Sequence, residues 1–208
     1  MFRDRREAAE RLAEALADLQ GQRPLVLGIP RGGVPLARVL ADRLGGEVDV
    51  VLVHKIGSPG NPEFAVGSVS EDGDVRIRPE ARRLYAPETL QTEVHRQGAR
   101  LRAQRERFTP GRPPIDPRGR VVVVVDDGTA TGETMLAALR VVRRREPAEL
   151  VAALPVASRE AVARLRREAD RVVALEVPAH FWAVGAHYRD FHQVDDEEVL
   201  AALAEGTE

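Results

Sequence analysis

Cysteine is absent from the 208 residues, so neither a disulfide nor a thiolate metal site can form. A reducing cytoplasm is the default compartment for such a chain. Long apolar runs are also missing: none approaches the roughly 20 residues that a membrane-spanning helix needs. The opening stretch MFRDRREAAERLAEAL is charged throughout and has no apolar signal core. Charge of one sign is lacking as well, since 31 basic residues meet 33 acidic ones for a formal net charge of −2. That balance, with 43% hydrophobic residues, argues against a nucleic-acid coat and against a disordered chain. Two residue types are nearly missing. Lys55 is the one lysine among the basic residues and Asn61 the one asparagine. A chain rich in Arg, Ala, Gly and Pro reflects a GC-rich genome, and arginine preference is not a dependable sign of heat adaptation.

The length suits one domain, and no repeat or low-complexity linker divides it. Leu12, Leu16 and Leu19 fall at helical spacing, so an amphipathic helix over 4–20 opens the fold. Leu25–Ile29 reads as a short buried strand. It runs into Pro30-Arg31-Gly32-Gly33 and a helix ended by Gly45-Gly46, with Val48–Val53 as the next strand. Phe64–Ser70 and Val75–Arg78 form a hairpin turning at Asp72-Gly73. A polar helix follows from Pro87 to Arg107 with a thin apolar stripe of Leu90, Val94 and Leu101. Such a stripe suits a surface helix or a contact with a second copy. Val121–Val125, five valines in a row, fits a central strand buried on both faces of a parallel sheet. Helices over 133–145 and 159–169 alternate with strands over 149–154 and 171–176. A last helix begins at Asp195, with Glu198 placed to complete a capping box. The alternation predicts an α/β fold: a doubly wound, mainly parallel sheet with right-handed crossovers and helices on both faces.

The valine strand ends in Asp126-Asp127-Gly128-Thr129-Ala130-Thr131-Gly132-Glu133-Thr134. Open α/β sheets place ligands at the carboxyl ends of their strands, and this strand delivers two adjacent carboxylates there. A loop of small residues leading into a helix can turn backbone amides toward a phosphate, with Thr131 and Thr134 hydroxyls as further donors. A Walker loop requires Gly-Lys-Ser/Thr where this chain has Gly132-Glu133-Thr134, and the glycines do not follow the dinucleotide spacing. Side-by-side carboxylates suit the vicinal hydroxyls of a ribose, and the adjoining loop suits its 5-phosphate. This fourteen-residue segment, Val121 to Thr134, resembles the phosphoribosyl diphosphate (PRPP) signature of the type I phosphoribosyltransferases.

The resemblance implies that Asp126 and Asp127 bind the ribose hydroxyls and that Gly128, Thr129, Ala130, Thr131, Gly132 and Thr134 hold the 5-phosphate. It implies an earlier pyrophosphate loop, which matches Arg31, Gly32 and Gly33, where glycines let an anion approach and Arg31 adds charge. A non-proline cis peptide is frequent in the family at this loop. Lys55 is read as ending the second core strand, where related enzymes carry a basic residue facing the pyrophosphate; His54 then points to the opposite face. The expected core is about 21–56 and 118–176, with an insertion over about 57–117 and a hood over about 177–194 before the C-terminal helix, 195–204. Arg96, Arg100, Arg102, Arg105 and Arg107 are expected to form a solvated face of the insertion. Phe181 and Trp182 are base-stacking candidates in the hood. His180, His187 and His192 lack metal-ligand spacing.

The implied activity is transfer of ribose 5-phosphate from PRPP to a nitrogenous base with release of pyrophosphate, as in cytoplasmic nucleotide salvage. Mg²⁺ is expected to enter with PRPP and to touch Asp126 or Asp127, with no metal fixed by the protein alone. Asp126, Asp127 and Lys55 are the expected catalytic residues. Partners are PRPP and a nucleobase, with no nucleic acid and no membrane, and a homodimer is favoured over a monomer. The alternative is a non-catalytic, PRPP-binding regulator. Against it stand the slight negative charge and the absence of a helix-turn-helix pattern. Purine enzymes of the family often read the base through a hood lysine, which this hood lacks, so the acceptor stays open.

Overall fold

The computed structural model describes residues 1–204, and of residues 62 and 63 the backbone only. The chain divides into two compact units, residues 1–51 with 113–208 and residues 52–112. In the first, helix α1 (Arg5–Ala15) starts at Asp4, whose side chain accepts a hydrogen bond from the Glu7 amide at 2.8 Å. Strand β1 (Leu25–Gly28) leads to helix α2 (Gly33–Leu44), stopped by Gly45 in the left-handed conformation, and then to strand β2 (Glu47–Val50).

In the second unit, strands β3 (Val53–Ser58), β4 (Asn61–Ser70) and β5 (Val75–Ile77) make an antiparallel sheet. Helices α3 (Pro79–Leu84) and α4 (Pro87–Phe108) follow, each with proline in its first turn, where the missing N–H costs nothing. The hairpin turns where the sequence places it: Gly73, at φ +82°, donates to the Ser70 carbonyl at 3.0 Å. Back in the first unit come strand β6 (Val121–Val125), helix α5 (Glu133–Arg143), strand β7 (Glu149–Val156), helix α6 (Arg159–Leu165), strand β8 (Arg171–Glu176) and helix α7 (Asp196–Ala204).

The first unit's sheet has the order β2-β1-β6-β7-β8, and every pairing in it is parallel. From β1 the chain winds outward through α2 to β2. From β6 it winds the other way through α5 and α6 to β8. Right-handed crossovers in opposite directions put α2 on one face and α5 with α6 on the other. Burial of β1, β6 and β7 on both sides explains why valine and leucine run through them without alternation. The doubly wound α/β class expected from the sequence is present, with the antiparallel sheet added. Among the described residues no helix is long and apolar enough to cross a membrane.

Two sequence expectations change in the second unit. Lys55 does not end the second core strand, which closes at Val50; it lies exposed within β3, opposite Ser68 of β4. Residues 52–56 accordingly belong with the second unit's sheet. His54 meets the Gln97 side chain of α4 at 3.1 Å. The arginine face of α4 is not all solvated either. Arg105 donates through Nε and Nη2 to both carboxylate oxygens of Glu71, at 2.6 and 2.5 Å, with the two side chains only 11% and 12% exposed. Of the apolar stripe, Leu90 and Leu101 are buried inside the unit and Val94 is half-buried.

Removing one partner of a buried pair strands the other's charge. Arg105→Ala is therefore expected to lower unfolding free energy by about 3 kcal/mol. Urea titration of both proteins, followed by circular dichroism, checks the figure.

Candidate functional site

The winding reverses between β1 and β6, and the crevice at their carboxyl ends is where an open α/β sheet presents a ligand. Two loops meet there. The loop after β1 carries Arg31, Gly32 and Gly33, and its Pro30–Arg31 peptide is cis. The loop after β6 carries Asp126 and Asp127. Their approach leaves no room for side chains: a Cβ on Gly33 would stand 2.4 Å from the Val125 carbonyl oxygen, and one on Gly32 would stand 2.0 Å from Asp127 Oδ2. The glycines thus have a reason beyond turn formation. They let one loop lie directly on the other.

Both carboxylates sit in a poorly solvated place. Burial pushes the Asp126 carboxyl well above the ordinary carboxylate range, and the neighbouring Asp127 charge adds to it. Burial raises Asp127 as well, with the Arg5 guanidinium working against the rise. The Asp127 amide donates to Asp126 Oδ1 at 2.9 Å.

The loop from Gly128 to Thr134 divides into a half-buried anchor and an exposed rim. Thr129 is the anchor: its amide donates to Val156, its carbonyl accepts from Ser158, and its Oγ1 accepts from the Gly132 amide at 2.8 Å. The Ala130 and Thr131 carbonyls accept from Ser158 Oγ and Arg164 Nη1 at 2.6 and 2.7 Å. Gly132 begins α5 with φ +74°, a conformation that side chains rarely adopt. Thr131 and Thr134 are exposed beside the helix's first turn, whose amides have no intrahelical acceptors. This is an anion cradle in chemistry: amides, hydroxyls and a helix N-terminus on one rim.

Sequence reasoning missed Arg5. From α1 its Nε and Nη2 donate to Asp127 Oδ2 at 2.9 and 2.8 Å, and its Nη1 donates to the His192 carbonyl at 2.7 Å. The Arg5 and Asp127 side chains are 10% and 15% exposed. A signal was available: Arg5 stands on the same helical face as Ala8, Ala9, Leu12 and Leu16, all buried, where a charge needs a partner. Tyr188 was missed too. Its hydroxyl donates to the Asp127 carbonyl at 2.6 Å, and burial, then the Asp127 charge, hold its pKa far above the phenol range.

The hood candidates separate. Phe181 packs toward the cluster of Phe2, Ala8, Val156 and Tyr188 and stacks on the His187 ring at 5.9 Å. Trp182 is 91% exposed. Arg31 is engaged through Nε with Asp196 of α7 at 3.0 Å. The structure thus gathers Arg31, Gly32, Gly33, Asp126, Asp127 and the 128–134 loop at one crevice, while Lys55 lies in the other unit. Among the described residues no group of three or more His, Asp or Glu side chains is arranged to hold a metal.

The profile of the phosphoribosyl transferase domain matches residues 3–190, which takes in both crevice loops and most of the hood. The chain belongs to that family. The protein designated TT1426 of Thermus thermophilus shares the fold at TM-score 0.86 and 55% identity, over 98% of each chain. Proteins of two Mycobacterium tuberculosis strains, CDC 1551 and H37Rv, provisionally named phosphoribosyl transferases, are 43% identical over 206 residues. The match takes in 98% of this chain and 46% of each relative, so the chain spans about half their length. Family membership agrees with the resemblance drawn from Val121–Thr134 and with the five-stranded parallel sheet.

Two measurements probe the loop geometry. Gly33→Ala forces the loops apart and is expected to cost about 1–3 kcal/mol, seen as a melting temperature several degrees lower. Asp196→Asn removes an anion already bound to a half-exposed arginine. Affinity for inorganic pyrophosphate, by calorimetry, is expected to rise up to about fivefold, the modest scale of such pairs.

Proposed function

We propose that this chain transfers the 5-phosphoribosyl group of PRPP to a nitrogenous base and releases pyrophosphate. The observation that carries the reading is the crevice itself: an acidic pair and an anion cradle lie against a glycine loop bearing Arg31, at the point where the sheet reverses its winding. Asp126 and Asp127 accept hydrogen bonds from the ribose hydroxyls. The amides of the 128–134 loop, with Thr131 and Thr134, hold the 5-phosphate. Arg31 and the amides at Gly32 and Gly33 receive the pyrophosphate.

In the reaction the bond from the ribose anomeric carbon to the pyrophosphate oxygen breaks, and a bond from that carbon to a base nitrogen forms. The electron pair of the broken bond leaves on pyrophosphate, and the base nitrogen gives up its proton to that pyrophosphate or to water. Donors fixed before reaction are most effective where charge develops, which is the task of Arg31 and the glycine-loop amides. Trp182 offers an exposed flat ring for a base to stack on. Phe181, already packed in the hood, supports that wall.

Magnesium-type cations take oxygen donors, which Asp126 and Asp127 supply, although one Asp127 oxygen is already given to Arg5. The fit is to a cation carried in by the diphosphate, where it would offset charge on the leaving group. Asp126 would complete its shell.

Calorimetry with PRPP in magnesium buffer tests the reading. Combining Asp126→Asn with Asp127→Asn is expected to weaken binding at least about 100-fold, two charge-assisted contacts being lost, while the melting curve stays cooperative. Unchanged affinity would sink the assignment. Pyrophosphate release across a panel of bases then separates an enzyme from a regulator, which would bind PRPP without turnover. In the same assay, wild-type turnover by Lys55→Arg removes the lone lysine from the mechanism.

A further inference from the structure

We infer that Arg5 is a positioning residue of this crevice: it holds Asp127 as a keystone tied to the hood, so that Asp127 meets the ribose from a fixed position while Asp126 stays free to turn. The inference rests on the PRPP reading above and assigns unequal roles to two side chains that the family motif treats as a pair.

The geometry is asymmetric. Asp127 Oδ2 receives two donors from Arg5, Nε at 2.9 Å and Nη2 at 2.8 Å, and lies where a side chain on Gly32 would have to be. The Asp127 carbonyl receives the Tyr188 hydroxyl at 2.6 Å. Asp127 is therefore held from α1, from the hood and against the glycine loop at once. Asp126 accepts only the Asp127 amide, on Oδ1, and its other oxygen has no partner within the chain among the described residues. Asp126, held by one backbone amide, can turn toward a ligand at little cost; Asp127, with Oδ2 doubly engaged by the guanidinium, can offer its Oδ1 only from a fixed position.

Arg5 uses its whole guanidinium. Nη1 donates to the His192 carbonyl at 2.7 Å, and the guanidinium carbon lies 4.1 Å from the centroid of the Phe191 ring. Phe191 in turn stacks on Tyr188 at 4.9 Å, and Tyr188 packs on Phe2 at 5.4 Å. The Arg189 and Asp190 amides donate to the Phe2 and Arg3 carbonyls, both at 2.8 Å, so the hood pairs with the segment leading into α1. Arg5 thus joins the loop that reads the ribose to the segment assigned to the base. A lysine carries the charge but has neither the fork nor the plane.

Two measurements on the intact chain decide it. In hydrogen exchange without ligand, Arg5→Gln is expected to lose protection over 185–190, and Arg5→Lys to recover part of it. In PRPP calorimetry with magnesium, Arg5→Gln is expected to raise Kd roughly tenfold or more. Adding Arg5→Gln to Asp127→Asn should change Kd by less than about twofold, because the two act as one unit; adding it to Asp126→Asn should multiply the losses. Unchanged exchange and unchanged Kd in Arg5→Gln overturn the inference, as do multiplying losses for Arg5 with Asp127. If Arg5→Gln does not fold, Arg5→Lys decides: wild-type exchange and Kd there overturn the need for the fork. Failure of the unmutated chain to bind PRPP overturns the functional reading instead, and the exchange comparison still decides whether Arg5 secures the hood.

Discussion

Two backbones come closer at the carboxyl edge of the parallel sheet than any side chain would permit. With hydrogen in place of Cβ at Gly32 and Gly33, the β1 loop lies against Val125, Asp126 and Asp127. The reversal of winding between β1 and β6 creates a crevice, and the missing side chains set how narrow it is. The contact sets the donors of one loop and the acceptors of the other a few ångströms apart before any ligand arrives.

Charge in the crevice is arranged as opposed pairs drawn from distant parts of the chain. Arg5 reaches Asp127 across 122 residues, and Arg31 pairs with Asp196 at the start of α7. Two adjacent carboxylates at the end of a buried strand repel one another and resist ionisation. The Arg5 guanidinium offsets part of that cost at Asp127. The same logic serves the second unit, where Arg105 and Glu71 neutralise each other near the hairpin turn.

What could be read from the sequence was whatever local chemistry dictates. Five valines before two aspartates and a small-residue loop specify a strand, two acids at its carboxyl edge and a turn into a helix with no long-range information. The Asp72-Gly73 turn was equally legible, as was the capping box, in which Asp195 and Glu198 exchange hydrogen bonds at 2.9 and 3.2 Å. The exit of the chain from the sheet after Val50 was not. Val51, Leu52 and Val53 are all buried and no glycine or proline marks the break, so two strands of different sheets read as one. Partner choice was hidden for a similar reason: nothing near Arg5 or Arg105 in sequence names Asp127 or Glu71. An arginine on the apolar face of α1 was the one clue, and it announces that a partner exists without saying which.

Trp182 has a consequence outside chemistry. Because it is the single indole of the chain and stands almost wholly in water, the protein's tryptophan emission comes from one spot on the hood. Anything that covers that ring, whether a planar ligand or a neighbouring molecule, changes its colour and its access to a dissolved quencher. The fold therefore carries a native optical label on its hood segment.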